Sequence, residues 1–344
     1  MNRRFPCIPR FSMALFAGMA MLATIATLAV AVESSFAAAS DASGAIQTAQ
    51  HQFNLGNYTA AIKTLQSVPQ VSNNAEAQYW LGRSYYELHD YDNAITASEK
   101  SVELDAKNSV YHQWLGTIYG GKADRDRSFS YARKVKKEFE EAIRLNPSNV
   151  EARRDLEQYD MEAPWVVGGS KDEAREQVTA IEAIDPVEGH LAHGAYEMNA
   201  KKLDLAEKEY REVLAAKPKR VESYFDAIRF FIHENKPADV EATIQAAAQV
   251  SPNDPRLVYY RGVSRVLAGT ELPRGEEYLK SYLASSPDRS DWPSHAAARA
   301  WLGRLYEAEG KRAEAAEQYR AALQLDPGQK EAKSRLEKLE KSAH

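Results

Sequence analysis

Residues 79–108 read YWLGRSYYELHDYDNAITASEKSVELDAKN, and a related skeleton returns along most of the chain. Its core is Leu-Gly-x-x-Tyr, followed nine residues later by alanine. When residue 75 is taken as position 1 of a unit, the three best copies place this core at the same positions. They carry Leu81, Gly82 and Tyr85; Leu115, Gly116 and Tyr119; and Leu302, Gly303 and Tyr306. Similarity at a fixed period of this length is typical of stacked repeats, so it decides the fold before local patterns do.

The repeated skeleton resembles the tetratricopeptide repeat, in which each unit consists of two antiparallel helices, A and B. The resemblance implies an all-α fold, a right-handed α-solenoid of stacked antiparallel helix pairs. Residues 40–342 are predicted to form one solenoid of about eight units. The predicted units are 41–74, 75–108, 109–149, 150–186, 187–220, 221–254, 255–295 and 296–329. Residues 330–342, KEAKSRLEKLEKS, are predicted to form a charged helix that caps the open end.

The glycines of the pattern are expected where helix A meets helix B closely. Glycine inside a helix costs roughly 0.5–1 kcal/mol relative to alanine, so close packing must compensate for it. The tyrosines of the same motif are expected to fill the groove to the neighbouring unit. These residues therefore predict a packed core and no chemistry.

The first 39 residues differ from the repeats. Arg3, Arg4 and Arg10 precede an uncharged stretch from Phe11 to Val32, and three alanines follow at 37–39. This order is typical of a secretory signal, so residues 1–39 are predicted to be removed and the protein to be periplasmic or secreted. The alternative is an uncleaved inner-membrane anchor, since about 20 apolar residues can span a bilayer. Membrane contact is expected only through this segment.

Composition argues against several classes of function. Cys7 is the only cysteine and precedes the apolar stretch, so the exported chain would have no thiol for disulfides, metal ligation or catalysis. The formal net charge is −5, and no unit has the basic face expected of a nucleic-acid binder. His190 and His193 form a close pair, but no recognisable metal motif completes it. We therefore predict no cofactor, no metal, no nucleic-acid partner and no enzymatic activity.

Three insertions interrupt the period and are predicted to form loops. GGKADRDRSFS follows Tyr119, APWVVGGSK lies in the fourth unit, and SDWPSH precedes the eighth. Equivalent turns of stacked repeats lie on one edge, so the first two loops should be neighbours. Ser170 is expected to cap the next helix, with Glu173 completing a capping box. At this edge, Trp165, Val166 and Val167 either fold back onto a helix end, which we favour, or await a partner.

The same region carries a second resemblance. The third unit ends in KKEFEEAIRLNPSN, an ARRDL segment follows, and residues 164–174 fit Pro-x-x-x-Gly-Gly-x-Lys-Asp-x-Ala. These features resemble a group of bacterial exported tetratricopeptide repeat proteins with an interrupted fourth repeat. The resemblance covers about residues 75–190 and implies architecture, without catalytic residues.

In the tetratricopeptide family, positions 2, 5, 9 and 12 of helix A line a concave groove. Carried over by position, arginine recurs at position 9 and an aromatic residue at position 5. Arginine and aromatic residues dominate interface hot spots, and arginine binds carboxylates through two hydrogen bonds. We therefore expect a protein or peptide partner with acidic and apolar residues. The predicted groove residues are Tyr79, Arg83, Tyr86, Phe225, Arg229, Tyr259 and Arg304.

These observations favour an exported, non-enzymatic scaffold or adaptor that binds a protein or peptide in its groove. A structural subunit of a cell-envelope complex is the alternative, and differs only in the permanence of its contacts. A helical-repeat enzyme or metal-binding protein that uses His190 and His193 is less favoured, because no nucleophile and base can be assigned.

Overall fold

The computed structural model describes residues 42–341, which are helical apart from turns and short loops and contain no strand. The helix α1 occupies residues 42–54 of this range. The others are α2 (Tyr58–Gln66), α3 (Ala75–Glu87), α4 (Tyr91–Leu104), α5 (Ser109–Asp126), α6 (Phe129–Leu145), α7 (Val150–Glu162), α8 (Lys171–Ile184), α9 (Pro186–Asn199), α10 (Leu203–Ala215), α11 (Val221–His233), α12 (Pro237–Val250), α13 (Arg256–Ala268), α14 (Leu272–Ser285), α15 (His295–Ala308), α16 (Arg312–Leu325) and α17 (Lys330–Lys341). Short 3₁₀ turns occupy Val71–Asn73 and Trp165–Val167.

Each odd-numbered helix from α1 to α15 packs against the even-numbered helix that follows it. Within residues 42–341 this gives eight helix pairs, followed by α17. The predicted all-α solenoid is confirmed. The fold arises because a single amphipathic helix cannot bury its own apolar face, whereas a stack of pairs makes a continuous core.

The A helices, which are odd-numbered, form the inner layer of the stack. Contacts between successive A helices join α3 to α5, α5 to α7, α7 to α9, α9 to α11 and α13 to α15. Because the A helices touch each other from unit to unit, their remaining faces line the concave side and the B helices lie outside. The predicted groove positions therefore belong to the layer that faces inward.

The motif glycines lie where helix A approaches helix B closely. A Cβ on Gly116 would lie 2.6 Å from the ring of Phe139, on the partner helix. A Cβ on Gly303 would overlap the ring of Tyr319 in the last pair. The close packing predicted from the Leu-Gly-x-x-Tyr motif is therefore present, and it offsets the helical cost of glycine.

The first insertion does not form the predicted loop. Residues Gly120 to Asp126 continue α5, which has 18 residues, and α6 begins at Phe129 after a turn with Arg127 in the left-handed region at φ 50°. The prediction failed because Lys122, Ala123 and Arg125 are good helix formers and the two preceding glycines do not interrupt the helix. Ala123 is buried, and Lys122 pairs with Asp92 at 2.6 Å.

The loop between α14 and α15 fastens the two ends of the stack together. The hydroxyl of Tyr58, at the start of α2, donates to the main-chain carbonyl of Asp288 at 3.0 Å. Ser290 donates from its backbone N and its hydroxyl to the carboxylate of Glu87, at 2.9 and 2.8 Å. The guanidinium of Arg289 lies 5.7 Å from the ring centre of Phe53. The solenoid thus completes a turn and touches itself.

Helix α17 covers the far end of the stack. Ala332 is buried, and Leu336 and Leu339 pack partly buried against the core formed by the last units. Its charged residues face outward, so this end presents a polar surface to solvent. No helix among residues 42–341 is long and apolar enough to cross a membrane. The signal or anchor predicted for residues 1–39 lies outside the described residues.

Candidate partner-binding surface

The first part of the concave surface is an aromatic cluster around Arg83. Its guanidinium carbon lies 4.0 Å from the ring centre of Trp114, 4.5 Å from that of Trp80 and 4.8 Å from that of Phe53. A terminal nitrogen of Arg83 donates to the hydroxyl of Tyr79 at 3.1 Å. Such contacts of a cation with aromatic faces are each worth about 0.5–2 kcal/mol. Arg83 therefore holds the first, second and third units together.

The predicted Tyr79 and Tyr86 belong to the same cluster. Tyr79 stacks on Tyr111 with ring centres 5.0 Å apart, and burial raises its pKa. Tyr86 packs edge-on against Tyr91 and Trp114, and burial raises its pKa to about 12. Both side chains are half-buried, so a partner can reach only part of each ring.

A second part of the surface surrounds Phe225 and Tyr259, which are both buried. Phe225 stacks on Tyr260 at 5.1 Å between ring centres, and the guanidinium of Arg256 lies 4.4 Å above its ring. Trp292, from the loop that closes the stack, lies on the other side of Arg256 at 5.5 Å. These groups border a cavity of about 620 Å³. Phe225 and Tyr259 therefore build the floor of this surface.

The three predicted arginines do not form a free line. Arg229 pairs with Asp226 one helical turn earlier, and its side chain remains 61% exposed. Arg304 lies 3.9 Å from the ring centre of Trp301 and 3.4 Å from a carboxylate oxygen of Glu331 on α17. Of the three, Arg229 is therefore the one that is both exposed and able to reach a ligand without dismantling a packed cluster.

A network of charged residues occupies the centre of the concave surface. Arg154 on α7 donates to Glu188 at 3.3 Å and to Asp226 at 3.1 Å. Glu188, which is 5% exposed, also accepts from Arg220 at 3.2 Å. The network ties α7, α9 and α11 together, and each of its carboxylates has a cationic partner, as a buried ion pair requires.

Two further carboxylates on α7 form no ion pair with any residue of the described chain. Asp155 accepts from the amide of Gln113 at 2.9 Å, and burial raises the pKa of its carboxyl to about 6. Glu157 is 4% exposed, its Oε1 has no hydrogen-bond partner among the described residues, and burial raises its pKa to about 7. A buried carboxylate that has no cationic partner destabilises the folded protein when it is ionised. Such a group is therefore a candidate functional residue.

The second insertion forms an ordered edge beside α6. Val167 is buried, whereas Trp165 is 86% exposed and Val166 41%. The predicted folding back therefore holds for Val167 and is wrong for Trp165 and Val166, because a 3₁₀ turn has three residues per turn and only one of its three faces meets the protein. The hydroxyl of Tyr159 lies 2.8 Å from the carbonyls of both Ala132 and Val167 and can donate its proton to either, so this loop does neighbour the start of α6.

Lys136 fixes the same edge from α6. Its ammonium donates to Asp160 at 2.9 Å, to the carbonyl of Gly168 at 2.7 Å and to Glu173 at 2.5 Å. Ser170 caps α8 as predicted and accepts from the backbone N of Glu173 at 3.3 Å. The carboxylate of Glu173 binds Lys136, so it does not complete the expected capping box.

His190 and His193 each contact a different glutamate. His190 Nδ1 lies 2.7 Å from Glu209, and His193 Nε2 lies 3.3 Å from Glu182. Within residues 42–341 no group of three His, Cys, Asp or Glu side chains is arranged to hold a metal ion.

The sequence prediction missed several of the central residues. Arg154 occupies position 5 of the fourth unit and Arg256 position 2 of the seventh, so the same helical spacing, applied to every unit, would have found both. Glu157 occupies position 8 of the fourth unit. Glycine is the usual residue at this position, so a glutamate there was the sign in the sequence that this residue is unusual. Trp292 lies in an insertion, and its contact with Arg256 had no signal in the sequence.

Comparisons with known proteins agree with the repeat architecture. The family model described as tetratricopeptide repeat matches residues 260–330, and the model described as anaphase-promoting complex, cyclosome, subunit 3 matches residues 21–101. A comparison with curated proteins gives no match.

Similar solved structures share little sequence with this chain. A thermophilic TPR protein of Thermus thermophilus is 19% identical, with coverage of 55% of this chain and 98% of that chain and a TM-score of 0.45. A tetratricopeptide repeat protein from Parabacteroides merdae is 15% identical, with coverage of 77% and 98% and a TM-score of 0.47. The APC/C hetero-tetramer Cut9–Hcn1 is 12% identical, with coverage of 85% and 54% and a TM-score of 0.49.

The eight helix pairs and the concave layer of A helices define a repeat scaffold of the kind that takes part in protein–protein interactions. The match to the tetratricopeptide repeat model over residues 260–330 supports the same repeat architecture for this chain.

Proposed function

We propose that this protein is an exported, non-enzymatic scaffold that binds a segment of another protein along its concave surface. The observation that carries the proposal is one cavity, to which the inner layer of A helices brings Phe225, Arg229 and Arg256 and the closing loop brings Trp292. Aromatic and arginine side chains beside a cavity are the groups that most often anchor a protein partner.

Arg229 is the contact residue that we assign first. Its side chain is exposed, and its partner Asp226 is shared with Arg154, so a carboxylate of the bound segment can approach the outer side of its guanidinium. Arg83 and Arg304 contribute by shaping the surface, since each is held in an aromatic contact.

The proposal is tested by placing a photo-crosslinking residue at position 229 on the concave side and, as a control, at position 144 on the outer side. Arg144 pairs with Glu141 at the same i,i+3 spacing as Arg229 with Asp226, and its side chain is 68% exposed. A partner should be captured in cells from position 229 and not from position 144. Binding of the purified partner should then weaken about 10-fold or more in Arg229→Gln and stay unchanged in Arg144→Gln.

Capture from both positions, or equal binding by both variants, would argue against the concave surface. The exposed edge at Trp165 and Val166 would then become the first candidate. Export is proposed from the order of charges, apolar residues and alanines in residues 1–39. The mass of the protein recovered outside the cytoplasm checks it, because a chain that retains residues 1–39 would indicate an anchor.

A further inference from the structure

Glu157 stands at a position where five of the other seven units have glycine, whereas the first and sixth units have Thr48 and Ile228. The glycines at this position, which is position 8 of helix A, are Gly82, Gly116, Gly194, Gly262 and Gly303. At those glycines a Cβ would meet atoms of helix B at 3.0 Å or less. The fourth unit instead places a carboxylate at this position, and the residue is only 4% exposed. Such a substitution calls for a reason other than packing.

The carboxylate of Glu157 borders a cavity of about 560 Å³ between α5, α7, α9 and α11. Five carboxylates line this cavity, from Glu151, Asp155, Glu157, Glu162 and Asp226. Two guanidinium groups also line the cavity, those of Arg154 on α7 and Arg229 on α11, and both already pair with Asp226. The cavity therefore has a surplus of negative charge, located on α7.

The remaining walls of the cavity combine apolar side chains with the polar side chains of Gln113, Gln158, Asn199 and His233. Met198, Tyr210 and Phe230 contribute to the apolar part, and Tyr210 stacks on Phe230 with ring centres 4.7 Å apart. An aliphatic stem that ends in a cation fits such a site, because the stem packs on rings while the charged head reaches the carboxylates. A bare metal ion fits less well, since the cavity is wide and no three carboxylate or histidine side chains within residues 42–341 converge to hold one.

We infer that this cavity receives a lysine or arginine side chain of the protein segment bound on the concave surface, with Glu157 and Asp155 as its counter-charges. The inference rests on the proposed function and names the chemistry of one contact. The bound cation would offset the cost of a buried negative charge, which the isolated protein bears alone.

The test uses the full-length chain and four pools of fluorescein-labelled dodecapeptides. The peptides are random except for a central residue fixed as lysine, arginine, glutamate or methionine. Fluorescence anisotropy at pH 8 should show the lysine and arginine pools binding at least 10-fold more tightly than the glutamate pool. Glu157→Gln and Asp155→Asn should each reduce this preference at least fivefold. Glu103→Gln, an exposed site on the outer helix α4, should leave it unchanged.

The outcomes separate the inference from the proposed function. Equal binding of the four pools, or preference for glutamate, would overturn the inference while leaving a groove that binds peptides. A basic preference that survives both Glu157→Gln and Asp155→Asn would overturn the assignment to this cavity. Failure of every pool to bind would overturn the inference, and it would overturn the proposed function as well if position 229 also captured no partner. Circular dichroism of each variant shows that the fold is retained.

Discussion

The hydroxyl of Tyr58 donates to the main-chain carbonyl of Asp288 at 3.0 Å, although 230 residues separate them. The contact joins the first helix pair to the loop before the last one. Glu87 and Ser290 reinforce it with two hydrogen bonds. In an open repeat array each unit touches only its neighbours, so this closure adds a long-range contact to an otherwise one-dimensional fold.

Gly56 provides a direct test of the closure. It lies at φ 74°, and a Cβ there would overlap the Cβ of Pro287 in the closing loop. Gly310 is the matched control, because it lies at φ 75° and a Cβ there meets nothing within 4 Å. Both alanine variants bear the strain of positive φ, about 1–2 kcal/mol. Gly56→Ala should in addition displace residues 286–294.

Hydrogen exchange followed by mass spectrometry measures this difference. Faster exchange is expected in residues 42–66 and 286–294 of Gly56→Ala, and no change in these segments of Gly310→Ala. If both variants exchange alike in these segments, then the closing contact does not stabilise either end of the stack.

Glu157 gives a prediction about stability and pH. Burial raises its pKa from 4.5 to about 7, so ionisation of this group opposes folding. The cost is fully present above pH 7 and disappears as the pH falls to the unfolded value of 4.5. Glu157→Gln should therefore stabilise the protein by about 1–3 kcal/mol at pH 8 and by less than about 1 kcal/mol at pH 5.

Urea denaturation at both pH values checks this prediction. Glu162→Gln, an exposed position on the same helix, serves as the control and should change the midpoint little at either pH. A Glu157→Gln variant that is less stable than the original chain at pH 8 would show that the carboxylate has a partner in the folded protein. Greater stability combined with weaker peptide binding would identify a residue retained for function.

The sequence was sufficient for the fold because the repeat specifies each contact locally. Gly116 lies against Phe139, as the spacing of the motif requires, and the same holds for Gly303 and Tyr319. The concave positions could be placed on helix A for the same reason. The partners of those residues could not be predicted, because the pairing of Arg304 with Glu331 depends on how a second helix stacks. The closure at Tyr58 depends on curvature accumulated over all the units.

Lys136 is predicted to hold the edge formed by residues 163–170. Asp160, one of its partners, is 1% exposed, and burial raises the pKa of this carboxyl while Lys136 opposes the shift. Lys136→Met would leave a buried carboxylate without its cation, which costs about 3–5 kcal/mol. Residues 163–170 should then become sensitive to limited proteolysis. Lys137→Met, on the exposed side of the same helix, should not have this effect.

A second substitution distinguishes loss of the ion pair from loss of packing. Replacing both partners, as Lys136→Met with Asp160→Leu, removes the unpaired charge and should recover much of the lost stability. If the double variant is as unstable as Lys136→Met alone, the lysine acts through its contacts with Gly168 and Glu173 rather than through Asp160.

Replacement by serine should change the stability of the protein little at Trp165 and markedly at Val167. Trp165 is 86% exposed, so Trp165→Ser should alter the free energy of unfolding by no more than about 0.5 kcal/mol. Val167, in the same loop, is only 4% exposed. Val167→Ser should therefore lower the free energy of unfolding by about 1–3 kcal/mol, through lost apolar burial and a hydroxyl placed among apolar atoms. Thermal denaturation of the two variants measures the contrast. Equal destabilisation would mean that Trp165 packs on the protein in solution, whereas a stable Trp165→Ser variant leaves an exposed indole that is free to contact a partner at this edge.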